Sequence, residues 1–161
     1  MALIIEDGTQ VNGSNSYATD AEFAAHAAIR GFVIPATEAL RDELMIKSMD
    51  YLSGMEPNMK GERVSSTQSL SYPRTGVSIY GFIIESDTIP VRLKSAQIEA
   101  AFAAYSQDLL TNQIVSNVQS ESVDVISTSY FSGGDKTRIK LDRVMAFLTP
   151  LLYDTNKLLR V

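Results

Sequence analysis

A chain of 161 residues, 45% hydrophobic and 20% charged, is long enough for one domain with a real core and too apolar for a disordered polymer. It holds no cysteine, which excludes disulfides, thiolate metal sites and a thiol nucleophile. Its net charge of −5 argues against a tight general grip on phosphates, while leaving room for a local basic patch.

No apolar run approaches the ~20 residues of a bilayer-spanning helix. The opening "MALIIEDGTQ" lacks the basic leader of a signal peptide, and no membrane association is expected. Residues 1–18 read as an arm that turns at Asp7-Gly8 and continues as a loop through Asn12, Gly13, Ser14 and Asn15. A helix starts next, because Thr19 followed three residues later by Glu22 is a capping box. It runs through "DAEFAAHAAIR" and stops at Gly31.

A second helix is predicted in "ATEALRDELMIKSMDYLSG", with Thr37 as N-cap and Leu40, Leu44, Met45, Met49 and Leu52 on one stripe. Glu43 and Lys47 are spaced to pair on its surface. Asp42, Glu43 and Asp50 read as its solvated outer face. Gly54 ends the helix and Pro57 prevents resumption. Residues 55–88 then form a long connection rich in Gly, Pro and Ser, of the kind that is functional or mobile.

Pro90 suits a first helical turn, and "VRLKSAQIEAAFAAYSQDLL" has no interior Gly or Pro. Its alanines occupy more than one face, which predicts a central helix approached from several sides. "ESVDVISTSYFSGGDKTRIKL" reads as a β-hairpin turning at Gly133-Gly134-Asp135. A short helix, "LDRVMAFLTPLLY", bends or ends at Pro150, and residues 154–161 are a tail. The expected fold is mainly α: one domain over 1–161, a small helical bundle around the Ala-rich helix, with a β-hairpin and a long loop.

Catalytic chemistry is unsupported. His26 is the sole histidine; with Glu22 one turn earlier it gives two ligands, not a site, and it reads as a half-exposed helical histidine. There is no nucleophile elbow, Walker loop, dinucleotide fingerprint or calcium loop. No enzyme, metal or cofactor is expected. Lys136, Arg138, Lys140 and Arg143, near Tyr130 and Phe131, could touch a nucleic-acid backbone and stack on bases, or be the polar side of an exposed hairpin arm.

Five stretches carry a resemblance: "ALIIEDGT...NSY", "TQSLSYPRTGV", "IPVRLKSAQIEAA", "ESVDVISTSYF" and "LTPLL". Together, in this order, they resemble the tailed-bacteriophage head-to-tail connector proteins, also called adaptor or head-completion proteins. Tyr72 stands where such relatives often carry tryptophan. The resemblance implies a non-enzymatic virion protein, assembled in the host cytoplasm and placed in the neck. It would form a self-associated ring, an expected dodecamer, joining the portal protein to a stopper or tail protein. DNA would pass through without specific binding. Some relatives are labelled as primosomal-like single-stranded-DNA binders, which makes replication-type single-strand binding the alternative.

Two segments are candidate contacts on this resemblance. Gln68, Tyr72, Pro73 and Arg74 form a preorganised aromatic and cationic loop that either packs on a neighbouring subunit or plugs the chain's own core. Lys157, Leu158, Leu159, Arg160 and Val161 either dock on the portal or pack on the chain's own bundle.

Overall fold

The computed structural model describes residues 2–110, 120–123, 126–129 and 141–153. Those residues are mainly helical, with small antiparallel strand pairs. Helix α1 spans Asp20–Arg30 and carries both halves of the capping box: Glu22 N–H donates to Thr19 Oγ1, and Thr19 N–H to Glu22 Oε2. Gly31 closes it in the left-handed region at φ 66°, returning its N–H to the Ala27 and Ala28 carbonyls.

Helix α2 spans Glu38–Ser53 and buries Leu44, Met45, Met49 and Leu52 as their spacing predicts. Thr37 makes no side-chain cap, and Leu40 is exposed rather than part of the stripe. Asp42 is buried, against expectation. The N-terminal arm crosses here, with Ala2, Leu3 and Ile5 lining one hollow with Asp42, a tertiary shield that helical periodicity cannot reveal. Glu43 and Lys47 do pair at 2.7 Å on the open face.

Helix α3 spans Val91–Ser106, with Pro90 as its N-cap residue rather than inside its first turn. It ends sooner than its sequence suggests, because Gln107 turns extended; Leu109 is still buried from the following loop. Ala96, Ala100 and Ala101 are wholly buried, and α3 packs against both α2 and helix α4, Asp142–Leu148. Two apolar clusters flank it. One joins Tyr17, Leu52, Tyr72, Leu93 and Leu148, and the other joins Phe23, Met45, Ile98 and Ala101.

The long connection is not a bare loop. A 3-10 turn at Glu56–Asn58 leads to strand β1, Glu62–Arg63, which pairs with β2, Arg74–Thr75. Strands β3, Ser78–Ile79, and β4, Phe82–Ile83, form a tight hairpin. Its two turn residues, Tyr80 at φ 54° and Gly81 at φ 87°, both sit in the left-handed region, as a turn matched to strand twist requires. Tyrosine is an uncommon choice there, so the turn has no Asn-Gly flag in the sequence.

Strands β5, Ser120–Val123, and β6, Ile126–Ser129, pair antiparallel with Val123 opposite Ile126, so both lie within what the sequence suggests is a single arm of the hairpin after α3. The Gly133-Gly134-Asp135 turn lies outside the described residues. Pro150 lies in a 3-10 turn, Thr149–Leu151, that ends α4 as anticipated. The chain beyond α4 is fastened to the connection: Lys60 N–H donates to Leu151 O and Tyr153 N–H to Asn58 O.

Candidate nucleic-acid interface

Gln68, Tyr72, Pro73 and Arg74 all lie buried within the chain's own fold. Of the two readings of this loop, their burial matches the plug of the core. The Arg74 guanidinium donates to the carbonyls of Lys60 (2.8 Å), Gly61 (2.6 Å) and Ser71 (3.3 Å) and reaches Glu56 Oε1 at 3.5 Å. Gln68 donates to the Leu70 and Pro73 carbonyls and accepts from Ser65 N–H. Glu56 also takes a two-pronged contact from Arg63 and the Ser71 hydroxyl. The Arg63 hydrogen bond holds the Glu56 carboxyl below its ordinary range against the opposing desolvation.

Tyr72 N–H donates to Tyr17 Oη at 3.0 Å, whereas the Tyr72 hydroxyl has no partner among the described residues. Burial pushes the Tyr72 phenol up to about 12. Tyr72→Phe is therefore expected to leave urea-measured stability within about 1 kcal/mol, while Tyr17→Phe, which orphans a buried N–H, costs about 1–3 kcal/mol. Equal losses in the two variants would contradict this asymmetry.

The tail residues Lys157, Leu158, Leu159, Arg160 and Val161 lie outside the described residues, as do Lys136, Arg138, Lys140, Tyr130 and Phe131. Arg143, the last cation of the basic run, is described, and it stands at the start of α4 beside a groove between α3, α4 and the turn after α1. This groove of about 390 Å³ is lined by Phe32, Val33, Phe102, Tyr105, Arg143 and Glu99, among others. Phe32 follows the Gly31 cap, so the left-handed turn that ends α1 aims its ring across α3. The rings of Phe32 and Phe102 lie 4.6 Å apart, and Phe102 stacks in turn on Phe23 at 4.8 Å. Tyr105 and Val33 are exposed at the rim.

The floor of the groove is electrostatically unusual. Glu99 projects from α3 with its side chain only 4% exposed, and its Oε1 accepts from His26 Nε2 at 2.9 Å, with Arg30 Nε 3.5 Å away. Its Oε2 has Arg143 Nη1 at 3.9 Å. The Arg143 side chain is 70% exposed and lies 5.1 Å over the Phe32 ring, a cation–π distance. His26 is thus neither half-exposed nor partnered by Glu22. Glu22 is occupied by Thr19 and Lys94, and a residue 73 positions away supplies the histidine's carboxylate.

A second aromatic surface lies at the β3–β4 hairpin. Tyr80 and Phe82 are 75% and 77% exposed, Ile83 is equally bare, and the Arg92 guanidinium lies 5.6 Å over the Tyr80 ring. The stretch from Thr67 to Phe82 stands out in the sequence for its aromatic and cationic residues, Tyr80 among them, whereas the groove does not, because Phe32 lies about 70 positions from Glu99 and Phe102 and all three look like ordinary helix and loop residues. Among the described residues no cluster of three or more potential metal ligands exists, and no helix is long and apolar enough to cross a membrane.

Comparison with known proteins corrects the expected role. The family model described as "Putative DnaT-like ssDNA binding protein" matches residues 1–161. No curated protein and no solved structure matches the chain. No connector family is shown, so the virion role is overturned, together with the ring, the portal and tail partners and the unbound passage of DNA. The physical reason is visible in the stretches that carried the resemblance. "TQSLSYPRTGV" and "IPVRLKSAQIEAA" supply Gln68, Tyr72, Arg74, Leu93, Ala96 and Gln97, all buried, so they report how the chain folds and not what it meets. With a family model covering its whole length, the chain belongs to the DnaT-like single-stranded-DNA-binding family.

Proposed function

We propose that this protein binds single-stranded DNA, stacking unpaired bases on exposed aromatic rings and holding the phosphate chain with arginine and lysine. The observation that carries the reading is the groove in which Phe32, Phe102 and Tyr105 stand beside Arg143. Aromatic faces accept any base, and an adjoining cationic strip tracks the backbone, which is how sequence-tolerant single-strand binders work. Family membership supports the same class.

The acidic chain is compatible with this because the positive charge is local. In sequence, residues 136–143 hold Lys136, Arg138, Lys140 and Arg143 against Asp142 alone, a surplus of three in a chain of net charge −5. Carboxylates elsewhere would keep duplex and other polyanions from adhering generally. The reading assigns no bond-making step. A small bundle built round the alanine-rich α3 would serve as the rigid support for the aromatic surfaces.

Fluorescence anisotropy with a labelled mixed-sequence single strand and its duplex tests this. Preference for the single strand is expected, with log affinity falling against log salt by about 0.7 per phosphate neutralised. Tyr105→Ala and Arg143→Ala should each weaken binding, the former by the ~1–3 kcal/mol of a lost stacking contact. Absence of binding at about 50 mM salt, where such contacts are strong, overturns the proposal.

A further inference from the structure

We infer that the β3–β4 hairpin is a second single-strand contact: Tyr80 and Phe82 at its tip each offer a ring to an unpaired base. The inference rests on the single-strand reading above and extends it to a surface that shares no residue with the groove.

The hairpin is rooted at its base and bare at its tip. Val77 is buried, and Ile79 and Ile84 pack on the apolar cluster of Tyr17, Tyr72 and Leu148. Ile84 N–H donates to Val77 O at 2.9 Å, and β3 lies against the 3-10 turn at Thr149–Leu151. Beyond that root, Tyr80, Phe82 and Ile83 are each at least 75% exposed. Phe82 and Ile83 are consecutive in a strand and so face opposite sides of the ribbon, which leaves both sides uncovered. The stem is therefore held firmly while its apolar tip stands in water.

The turn is costly as built. Glycine or asparagine enters the left-handed region readily, whereas a tyrosine held there at φ 54° is strained. Strain of this kind persists where a side chain has a task at that place. The Arg92 guanidinium lies 5.6 Å from the centre of the Tyr80 ring, and with the residue so exposed the opposite face is open to another planar group. A base suits that face whatever its identity, and the cation behind the ring adds to the attraction.

Charge points the same way. Arg92 has no ion-pair partner among the described residues, and the first turn of α3, which carries it, holds no acidic residue. Its charge is available to a phosphate next to the stacked base. Exposed Glu85 and Asp87 follow β4 and offset that charge, so stacking supplies most of this contact.

Anisotropy of the full-length protein with a labelled oligo-dT that reaches both surfaces tests the inference. Tyr80→Asn and Phe82→Ala are each expected to weaken binding by about 5- to 150-fold, the range of one lost stacking contact, with the salt slope unchanged. Asparagine relieves the turn, so Tyr80→Asn should melt at or above the wild-type Tm. Weaker binding by a protein no less stable is a result that a purely structural tyrosine does not give. The chain has no tryptophan, so Tyr80→Trp places one emitter at the tip, and saturating oligo-dT should quench it. Wild-type affinity in both Tyr80→Asn and Phe82→Ala, or an emission that bound oligo-dT leaves unchanged, overturns the inference. If Tyr105→Ala still weakens binding in that case, the groove stands and the hairpin alone is removed. Failure of the wild-type protein to bind any single strand removes the parent proposal and this one with it.

Discussion

Arg74→Ala is expected to lower the free energy of unfolding by about 3–5 kcal/mol, the range for stripping one partner from a buried ionic cluster. The Arg74 side chain is 8% exposed and spends its donors on the loop carbonyls of Lys60, Gly61 and Ser71. Removing it orphans those carbonyls and leaves Glu56 with one guanidinium instead of two. Arg74→Lys restores charge but not the fork, and should recover less than half of the loss. Chemical denaturation checks both; a loss under 1 kcal/mol in the alanine variant would contradict the account.

The same cluster fixes a pH dependence. The folded Glu56 carboxyl titrates below its ordinary value of 4.5, first because of the Arg63 hydrogen bond. The unfolded chain therefore binds its proton first as pH falls. Stability from the cluster is complete above about 4.5 and is lost as pH drops through the depressed folded value.

Gln97→Leu is the second large effect, about 3 kcal/mol. Gln97 is wholly buried in α3, and its Oε1 accepts from the N–H groups of Tyr17 (2.8 Å) and Ala18 (3.1 Å). Its Nε2 donates to Ser16 Oγ at 2.8 Å and to Met45 O at 3.3 Å. One amide thus joins the N-terminal arm, α2 and α3. Leucine fills the space but leaves two buried N–H groups unsatisfied, each worth about 1–3 kcal/mol. Hydrogen exchange at Tyr17 and Ala18 should accelerate more than at α4 amides; uniform acceleration would point to general loosening instead.

Local chemistry made the helices legible. The Thr19–Glu22 box, the Gly31 stop and the alanines of α3 each act within a few residues, and each appears where the sequence places it. What escaped was non-local. Asp42 is covered by the arm, His26 finds Glu99 across the fold, and residues 55–88 are folded by Arg74 rather than by any period of two or 3.6. Polar residues without periodicity read as surface, yet here Arg74, Gln68 and Gln97 are internal because carbonyls and amides converge on them. The groove was illegible for the same reason, being assembled from two helices and a turn.

Helix α3 also works as a ruler. Arg92 near its start lies against Tyr80, and Phe102 near its end lines the groove, ten residues on and so about 15 Å along the axis at 1.5 Å per residue. At the ~3.4 Å spacing of stacked nucleotides, about four or five are needed to span that distance. On the proposed single-strand reading, shorter strands would touch one aromatic end only and longer ones would gain the second as an intramolecular event, so avidity is expected to set in as a step with strand length and not as a smooth rise.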